Sequence, residues 1–399
     1  MRIDFEDLRA ATPATVEDIP DWELLCDWFP ILSPLDDCPQ DDVHHAEGDV
    51  GTHTRMVLRE LVGADGWEDL DEQARFRLFW AAVFHDSGKP RRNQMVDGRW
   101  TSPGHSRAGA FIARENLRAV GIPFHTREEI AAIIAAHQVP FHLDGRDDRD
   151  RRAIELSLLL RPRELLMHAR ADALGRICSD QEDILMRIDL AEIVFEDLGA
   201  LDGPFPFAND ESRVAFFSLA DRNPFWEAYE DYDCEVTVMS GLPGSGKDTW
   251  IAKNRPGVPV VSLDEIRRRL RISPEDNQGA VQQAALEEAR THLRARRDFV
   301  WNTTNVTKDM RGRILDLVRE YDGQTARNDH RCARITMVYI ETPPSVLVRQ
   351  NGERKESVHI GVISNLARKL DPPRPYESHE TIYVTPGLPE WDFVPAPTP

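Results

Sequence analysis

Two patterns of hydrophobic and polar positions divide the chain. Between about residues 50 and 200, apolar residues recur at spacings of three and four, which predicts amphipathic helices. The helical segments are HTRMVLRELV, DEQARFRLFWAAVFHD, HSRAGAFIARENLRAV, REEIAAIIAAHQ and RPRELLMHARADALG. Turns such as VGIP separate these segments, and little in this part is typical of a strand. The pattern therefore predicts an all-α helical bundle.

From CEVTVMSG onward, strands and helices alternate. Strands are predicted at 235–240, 258–263, 298–302, 334–341 and 380–385. Helices are predicted at 246–254, 264–271, 279–297, 307–321, 344–351 and 358–370. Such alternation with short connections predicts an α/β fold with a mainly parallel sheet.

Between these parts lies a connector rich in Pro, Asn and Asp. Its Phe, Trp and Tyr residues argue against a flexible linker; they are at 205, 207, 216, 217, 225, 226 and 229. We expect the connector to pack against one or both domains. The predicted organisation is a helical domain at 1–202, the connector at 203–233 and the α/β domain at 234–399.

Composition agrees with two or three well-packed domains, since the chain has 399 residues of which 41% are apolar. The N-terminal segment is acidic and lacks the apolar core of a signal peptide. The apolar run LFWAAVF is far shorter than a membrane span. Five scattered cysteines, with no C-x-x-C pair, favour neither a disulfide framework nor a thiolate zinc site. We therefore expect a cytoplasmic protein that does not bind membranes.

The net charge of −20 is unevenly distributed. Residues 231–399 carry 24 basic and 24 acidic side chains, so the whole imbalance falls in residues 1–230. The second part contains clusters of arginine at 267–269 and 271 and at 290, 294, 296 and 297. Such clusters are compatible with a solvated helix face or with a polynucleotide substrate, and the global charge decides neither way.

The segment GLPGSGKDTW follows a predicted strand and precedes a predicted helix, which is the context of a phosphate-binding loop. Its candidate nucleotide-binding residues are Gly241, Leu242, Pro243, Gly244, Ser245, Gly246, Lys247, Asp248 and Thr249. The glycines let backbone N–H groups surround a phosphate, and Lys247 reaches the outer phosphates. We expect ATP or another NTP with Mg²⁺ as the cofactor.

This loop departs from the usual pattern, because Asp248 stands where a Ser or Thr would bind Mg²⁺. The strand FVWNTTN lacks the acidic residue that usually follows it and ends at Asn302 and Thr303 instead. One carboxylate is missing and one is added, so we hypothesise that Asp248 lies on the Mg²⁺ side, directly or through water. Thr249 is expected to pack or cap rather than to bind metal.

The next strand ends in VVSLDEIRRRL, which places Asp264 at the carboxyl end of the sheet, where α/β folds bind ligands. Asp264 is a candidate base for the acceptor hydroxyl, and Arg267, one turn later, a candidate contact for an acceptor phosphate. A plain helix N-cap is the other interpretation of Asp264, and both can hold. Farther on, basic residues suit a lid over the transferring phosphate; Arg354 is the first candidate and Arg349 the second, with Lys355 beside them.

Residues 235–385 resemble the 5′-OH polynucleotide kinase branch of the P-loop phosphotransferases. The resemblance rests on GLPGSGKDTW, Asp264 with Arg267, TN at 304–305 and the lid arginines. It implies that Asp264 is the general base and that Arg267 contacts the acceptor strand. Asp248 and Thr303 depart from the family, whose phage-type members have aspartate at the position of Thr303.

A second candidate site begins at FHDSGKP, where the adjacent His85 and Asp86 can bind one metal ion. Further candidate ligands lie on other predicted helices, as a metal in a bundle core requires: His53, His105, His137 and Asp172. This order of His and Asp, with HDSGKP and RADALG, resembles the HD-domain phosphohydrolase superfamily. The resemblance implies one or two divalent transition metals, such as Mn, Fe, Co, Ni or Zn, and a phosphate contact by Lys89. His45 either lines the site or is structural.

Together the two halves resemble the HD-Pnk family of bifunctional end-healing enzymes. The resemblance implies removal of 2′,3′-cyclic phosphate, 2′-phosphate or 3′-phosphate groups and NTP-dependent phosphorylation of 5′-OH ends. The partners would be RNA or DNA strand ends and a polynucleotide ligase. Two alternatives remain: an HD nucleotidase fused to a nucleoside kinase, and a regulatory module that uses NTP without chemistry.

Overall fold

The structure is a computed structural model, which describes residues 3–391 except 274, 326–330 and 355–356; the side chains of 322–325 and 331–332 are also outside the description. Two compact units are present. The first extends to Pro206, the second is Phe207–Gly387, and residues 388–391 group with the first.

The first unit is a helical bundle, as the sequence pattern predicts. Its helices are α1 (Phe5–Ala10), α2 (Trp22–Trp28), α3 (Val50–Val62), α4 (Glu72–Phe84), α5 (Lys89–Arg92), α6 (His105–Val120), α7 (Phe124–Ala136), α8 (Arg149–Ser157), α9 (Pro162–Leu174) and α10 (Gln181–Asp197). Helix α4 packs against α3, α6, α7 and α9 and is buried around its whole circumference between Phe76 and Phe84. It is therefore the central helix of the bundle.

A β-hairpin interrupts this helical unit, which the sequence pattern did not predict. Strands β1 (Gln94–Val96) and β2 (Arg99–Thr101) pair antiparallel through Met95 and Trp100. The two residues between them, Asp97 and Gly98, both have positive φ, at 49° and 78°. This is the geometry of a type I′ turn, for which Asp-Gly is a favoured sequence. The Asp-Gly dipeptide was thus the available signal for the hairpin.

The second unit is an α/β domain with a parallel sheet, as expected. Its strands are β3 (Tyr232–Ser240), β4 (Val260–Ser262), β5 (Phe299–Asn302), β6 (Arg331–Ile340) and β7 (Glu380–Val384). Their order across the sheet is β4-β5-β3-β6-β7, and every neighbouring pair is parallel. The helices are α11 (Asp210–Ser218), α12 (Lys247–Asn254), α13 (Leu263–Leu270), α14 (Gly279–Arg294), α15 (Lys308–Thr325), α16 (Pro344–Glu353) and α17 (Ile360–Ala367). Apolar side chains are buried in two clusters, one of which contains Val238 and the other Met239, neighbouring residues of β3 whose side chains face opposite sides of the sheet.

The aromatic connector packs within the second unit over most of its length. Phe217 of α11 stacks on Tyr376 with ring centroids 4.4 Å apart. Arg213 donates to the carbonyl oxygens of Pro375 and His379 at 3.1 and 2.7 Å. These contacts hold α11 against the segment that precedes β7. Among the described residues, no helix has the length and apolar character needed to cross a membrane.

A buried ion pair connects α15 to the segment before β7. Arg311 is fully buried and donates to both carboxylate oxygens of Glu377, at 2.7 and 2.8 Å, and to the carbonyl oxygen of Asp371 at 2.7 Å. Removing one partner of such a pair leaves an uncompensated buried charge.

We expect Arg311→Ala to lower the free energy of unfolding of this unit by about 3–5 kcal/mol. Urea denaturation of the full chain, followed by circular dichroism, measures the change. Arg319→Ala is the matched control, because Arg319 lies on the same helix but is partly exposed and pairs with the exposed Asp316 at 3.2 Å. A control loss below about 0.5 kcal/mol is expected. Equal losses in both variants would contradict the importance of the buried pair.

Candidate active sites in the two units

The helical bundle brings together the six side chains that the sequence singled out as metal ligands. His85 and Asp86 directly follow the buried helix α4, and the others lie on or next to four further helices. His53 is on α3, His105 begins α6, His137 follows α7 and Asp172 is on α9. Since α4 is central and packs against all four, its C-terminal end is the point where these residues converge.

Asp86 lies at the centre of this cluster. Its carboxylate faces the Nε2 atoms of His85 and His105 at 3.3 Å and the Nζ of Lys89 at 2.7 Å. His137 and His53 follow at 3.8 and 3.9 Å. Burial raises the pKa of Asp86, but Lys89 and His85 outweigh that effect and hold it well below its usual range. The carboxylate is therefore ionised and available to a cation.

Backbone hydrogen bonds fix the tautomers of three histidines. The Nδ1 atoms of His85, His105 and His137 lie 2.7–2.8 Å from the carbonyl oxygens of Ala82, Ser102 and Ile134. A carbonyl oxygen only accepts, so each Nδ1 carries the hydrogen, and in the neutral ring each Nε2 presents a lone pair. Metal-binding histidines commonly donate their second nitrogen in this way.

These lone pairs face an anionic carboxylate, which suits a bound cation. The ligand atoms of His53, His85 and Asp86 lie within 4.8 Å of one another, and so do those of Asp86, His105 and His137. His85 Nε2, His137 Nε2 and Asp86 Oδ1 are buried without a hydrogen-bond partner among the described residues. Asp86 belongs to both groups, so the donor set fits one metal ion or two that share this carboxylate.

Asp172 joins the cluster through His53, whose Nε2 lies 3.1 Å from Asp172 Oδ1. Both oxygens of Asp172 also accept from Arg176, at 2.8 and 2.9 Å. Arg176 thus neutralises Asp172 and holds it in position. Sequence reasoning missed Arg176, which lies just beyond the C-terminal end of α9, four residues after Asp172.

Three further residues at this site were not singled out from the sequence. Glu47 accepts from His45 Nδ1 at 2.8 Å and lies 3.1 Å from His53 Nδ1, so it orients both rings. Gln40 accepts from Lys89 at 2.7 Å. His168 is fully buried, and neither ring nitrogen has a hydrogen-bond partner in the described part of the chain. Its spacing of four residues before Asp172 was the available signal.

The HDSGKP turn depends on a close approach at Gly88. A Cβ atom there would lie 2.1 Å from the carbonyl oxygen of His105 and 2.7 Å from the backbone nitrogen of Gly109. The turn after α4 therefore lies directly against the first turn of α6. This contact sets the position of His105 relative to Asp86, and no larger residue fits.

The phosphate-binding loop lies between β3 and α12 in the second unit. Gly241 has a φ of 153°, and a Cβ there would lie 2.6 Å from the carbonyl oxygen of Ile340. Lys247 turns back over the loop and donates to the carbonyl oxygens of Gly241 and Leu242, at 2.8 and 3.0 Å. Burial lowers the pKa of Lys247 to about 8, although the nearby Asp248 carboxylate acts in the opposite direction.

Thr304 and Asn305, the TN pair that follows β5, support this loop through hydrogen bonds. The Gly241 N–H donates to the carbonyl oxygen of Thr304 at 2.9 Å. Asn305, which has a φ of 47°, donates from its side chain to the carbonyl oxygen of Met239 at 2.9 Å. These bonds fix the start of the loop to the end of β5, which gives the pair a structural role.

Asp248 and Asn302, the two unusual residues of this site, are hydrogen-bonded to each other. The Asn302 side-chain amide donates to Asp248 Oδ1 at 2.7 Å. The extra carboxylate on α12 thus lies at the end of β5, where an acidic residue was missing. Thr249 is exposed, and Gly246 is the N-cap of α12, so the expectation that Thr249 packs or caps is wrong.

Asp264 is the second residue of α13, and the N-cap is Ser262, whose hydroxyl accepts from the Glu265 N–H. The N-cap interpretation of Asp264 is therefore wrong. Its side chain is 61% exposed and forms an ion pair with Arg267. Arg267 also donates to Gln278 Oε1 at 2.7 Å, which fixes the guanidinium beside the carboxylate.

Of the lid candidates, Arg354 lies near the loop. It follows α16 and helps to lower the pKa of Lys247, while Asp264 opposes it. Asn351, near the end of α16, donates to and accepts from the backbone of Val358, at 2.8 and 3.0 Å. Arg349 is exposed on α16, and Lys355 lies outside the described residues.

Comparison with known families identifies both units. The family described as "HD domain" matches residues 50–177, and the family described as "AAA domain" matches residues 236–373. The chain joins an HD domain to a P-loop kinase-like domain. The first match spans every candidate metal ligand, and the second spans the loop, Asp264 and Arg354.

Curated relatives match the chain in part. An A-adding tRNA nucleotidyltransferase from Deinococcus radiodurans is 31% identical over 148 residues, 34% of this chain and 32% of that protein. A multifunctional CCA protein from Halorhodospira halophila is 37% identical over 94 residues, 23% of this chain and 20% of that protein. The chain thus spans a third or less of the length of these relatives.

Among solved structures, a sugar kinase from Janibacter sp. matches with a TM-score of 0.28 and 16% identity, covering 38% of this chain and 85% of the other. Similarity at this level supports no inference about the function of either unit.

The lowered pKa of Lys247 predicts that nucleotide binding is linked to proton uptake. A bound phosphate favours the ammonium form and raises the pKa above about 8, so binding just above that pH takes up a proton. We expect ATP affinity to weaken as the pH rises from 8, with up to one proton taken up at about pH 8.5. Calorimetry in two buffers of different ionisation enthalpy measures the number of protons taken up.

Lys247→Arg is the control for this measurement, because a guanidinium remains charged at that pH and should take up no proton. The same uptake in both proteins, or none in the unaltered chain, would contradict the assignment to Lys247.

Proposed function

We propose that this chain is a bifunctional end-healing enzyme for nucleic acids. In the first activity, the HD domain removes 2′,3′-cyclic phosphate, 2′-phosphate or 3′-phosphate groups from strand ends. In the second, the P-loop domain transfers a phosphoryl group from an NTP to a 5′-OH end. The products, a 3′-OH and a 5′-phosphate, are the ends that a polynucleotide ligase joins.

The observation that carries this proposal is that each unit contains its own set of phosphate-handling groups. One is the His and Asp cluster around Asp86, and the other is Lys247 with Asp264 and Arg354 nearby. The first suits hydrolysis and the second suits transfer. One relative is named as an A-adding tRNA nucleotidyltransferase, an enzyme of tRNA, which favours a nucleic-acid substrate.

In the HD domain, a divalent metal held by His53, His85, Asp86 and Asp172 would acidify a water molecule and neutralise phosphoryl oxygens. His105 and His137 would complete the donor set for a second ion. The chain's own residues position these ligands and bind the substrate. Lys89 lies 2.7 Å from Asp86 and lines the adjacent cavity, so its ammonium is available to a phosphate oxygen.

In the kinase domain, Asp264 accepts the proton of the 5′-hydroxyl as its oxygen attacks the γ-phosphorus of the NTP. The new O5′–P bond forms while the bond to the β-phosphate oxygen breaks, and the nucleoside diphosphate leaves. Lys247 and Arg354 neutralise the charge on the transferred group. Arg267 orients Asp264 and contacts a phosphate of the acceptor strand.

An open acceptor site favours a strand over a free nucleoside. Asp264 is mostly exposed, and Arg268, Arg269 and Arg271 beside it are also exposed. A nucleoside kinase needs a closed pocket that contacts the base. Comparing a 5′-OH oligonucleotide with a free nucleoside as phosphoryl acceptor therefore separates this proposal from a fusion of a nucleotidase and a nucleoside kinase.

The central test uses one oligonucleotide that carries both a 5′-OH and a 3′-phosphate. We expect Lys247→Ala to reduce 5′ phosphorylation at least about 100-fold and to leave 3′ phosphate release unchanged. Asp86→Ala should do the reverse and lower the metal content of the purified protein. Lys253→Ala, exposed on the same helix as Lys247, is the control. Loss of both activities in either variant would refute two independent sites.

A second test addresses Asp248, for which we propose a role on the Mg²⁺ side of the nucleotide. We expect Asp248→Ala to raise the Mg²⁺ concentration needed for half-maximal kinase activity about tenfold or more. The double variant Asp248→Ser with Asn302→Asp exchanges the carboxylate between the two hydrogen-bonded positions and should restore the wild-type Mg²⁺ dependence.

Lys253→Ala is again the control for this experiment, since Lys253 is exposed on the same helix and is not among the candidate nucleotide-binding residues. Full activity of Asp248→Ala at low Mg²⁺ would refute the role of Asp248.

A further inference from the structure

A large cavity opens beside the HD cluster and is bounded on one side by the β1–β2 hairpin. Its volume is about 680 Å³, within the range of cavities that hold small ligands. Lys89 and His105, both buried residues of the Asp86 cluster, are part of its lining. The cavity therefore leads from the surface to the candidate metal site.

The hairpin has no core of its own. Five of its six strand residues are exposed, and Trp100 alone among them is half-buried. Isolated two-stranded hairpins are marginally stable in water, so burial within the hairpin itself does not hold Trp100 in place. The hairpin is instead closed at its base, where Ser102 donates to Asn93 at 3.2 Å and Asn93 donates to the carbonyl oxygen of Pro39 at 2.8 Å. These bonds place Trp100 in the cavity wall.

Charge distinguishes this cavity from its neighbour. The large cavity is lined by Lys89, Arg99, Arg176 and Arg187 and by three aspartates, Asp41, Asp180 and Asp183. Of these cations, Arg99 and Arg187 are exposed and form no ion pair or side-chain hydrogen bond with the described residues. The smaller cavity on the other side of Trp100 shares Arg99 and Asp41 with the large one and is lined by four further aspartates, Asp36, Asp37, Asp42 and Asp49. The smaller cavity therefore repels the phosphates of a strand more strongly than the large one does. The substrate strand therefore enters through the large cavity.

We propose that Trp100 and Arg187 form a binding site for the last nucleotides of a single-stranded 3′ end. Trp100 stacks on the terminal base, and Arg187 contacts a backbone phosphate as the strand enters. An aromatic ring beside an unpaired cation is the usual means of binding single strands without sequence preference. This inference rests on the proposed function and adds to it that the terminal base is unstacked from its neighbours. A paired end must therefore fray before it reacts.

The test compares two 3′-phosphate oligonucleotides that differ in having a terminal base or an abasic terminal sugar. We expect Trp100→Ala to raise KM for the first about tenfold, with kcat within about twofold, and to leave KM for the abasic substrate nearly unchanged. Trp100→Phe should retain most of the affinity. Val96→Ala, exposed in the same hairpin and outside both cavity walls, is the control.

The phosphate contact has its own readout. Arg187→Ala should raise KM for both substrates and reduce the slope of log KM against log salt concentration by about 0.7, the value for one phosphate of a single strand. A blunt duplex end should react more slowly than the same single strand.

The outcomes separate this inference from the function on which it rests. If the unaltered protein releases no phosphate from any oligonucleotide, the end-healing function itself fails. If it releases phosphate but Trp100→Ala raises KM equally for both substrates, or for neither, stacking of Trp100 on the terminal base is refuted. A metal content equal to that of the unaltered protein shows that a KM change in Trp100→Ala does not come from damage to the metal site.

Discussion

The burial of one ionised carboxylate organises the helical unit. Asp86 is 2% exposed, and a charge at such depth is stable only when cations or hydrogen-bond donors surround it. Lys89 supplies the permanent positive charge, and the surrounding histidines present lone pairs that a metal ion would satisfy. The bundle meets this requirement by placing the end of its most buried helix, α4, where α3, α6, α7 and α9 converge. The end of α4 thus belongs both to the packed core and to the candidate metal site, so a substitution there affects both.

In the second unit, hydrogen bonds to backbone groups hold the phosphate-binding loop in place. Asn305 donates to a carbonyl oxygen of β3, and the carbonyl oxygen of Thr304 accepts from the first residue of the phosphate-binding loop. Arg311 in turn donates to the carbonyl oxygens of Asn305 and Asp371. A loop that must surround an anion cannot supply its own packing, because its groups point inward to the ligand. The segment that follows β5 holds this loop rigid through hydrogen bonds, which explains why its residues are polar.

Much of this was accessible from the sequence, for reasons that differ between elements. The parallel sheet was predictable because buried strands such as β3 and β6 form apolar runs that helices separate. The metal candidates were found by their order along the chain, whereas the role of Glu47 depends on contacts with His45 and His53 that folding creates. The hairpin was missed because its strands are three residues long and almost fully exposed, leaving no periodicity to detect. At the start of α13, Ser262 and Asp264 are both good caps, and the end of β4 at Ser262 decides between them.

The bond between Asn302 and Asp248 has a consequence for the order in which ligands reach the P-loop. An amide donor is neutral, so the exposed Asp248 keeps its full negative charge, where a serine or threonine would present none. This carboxylate repels a nucleotide without a metal and attracts the divalent cation of a metal–nucleotide complex. The proposed position of Asp248 on the Mg²⁺ side thus implies that this residue favours the metal complex over the free nucleotide at the moment of encounter.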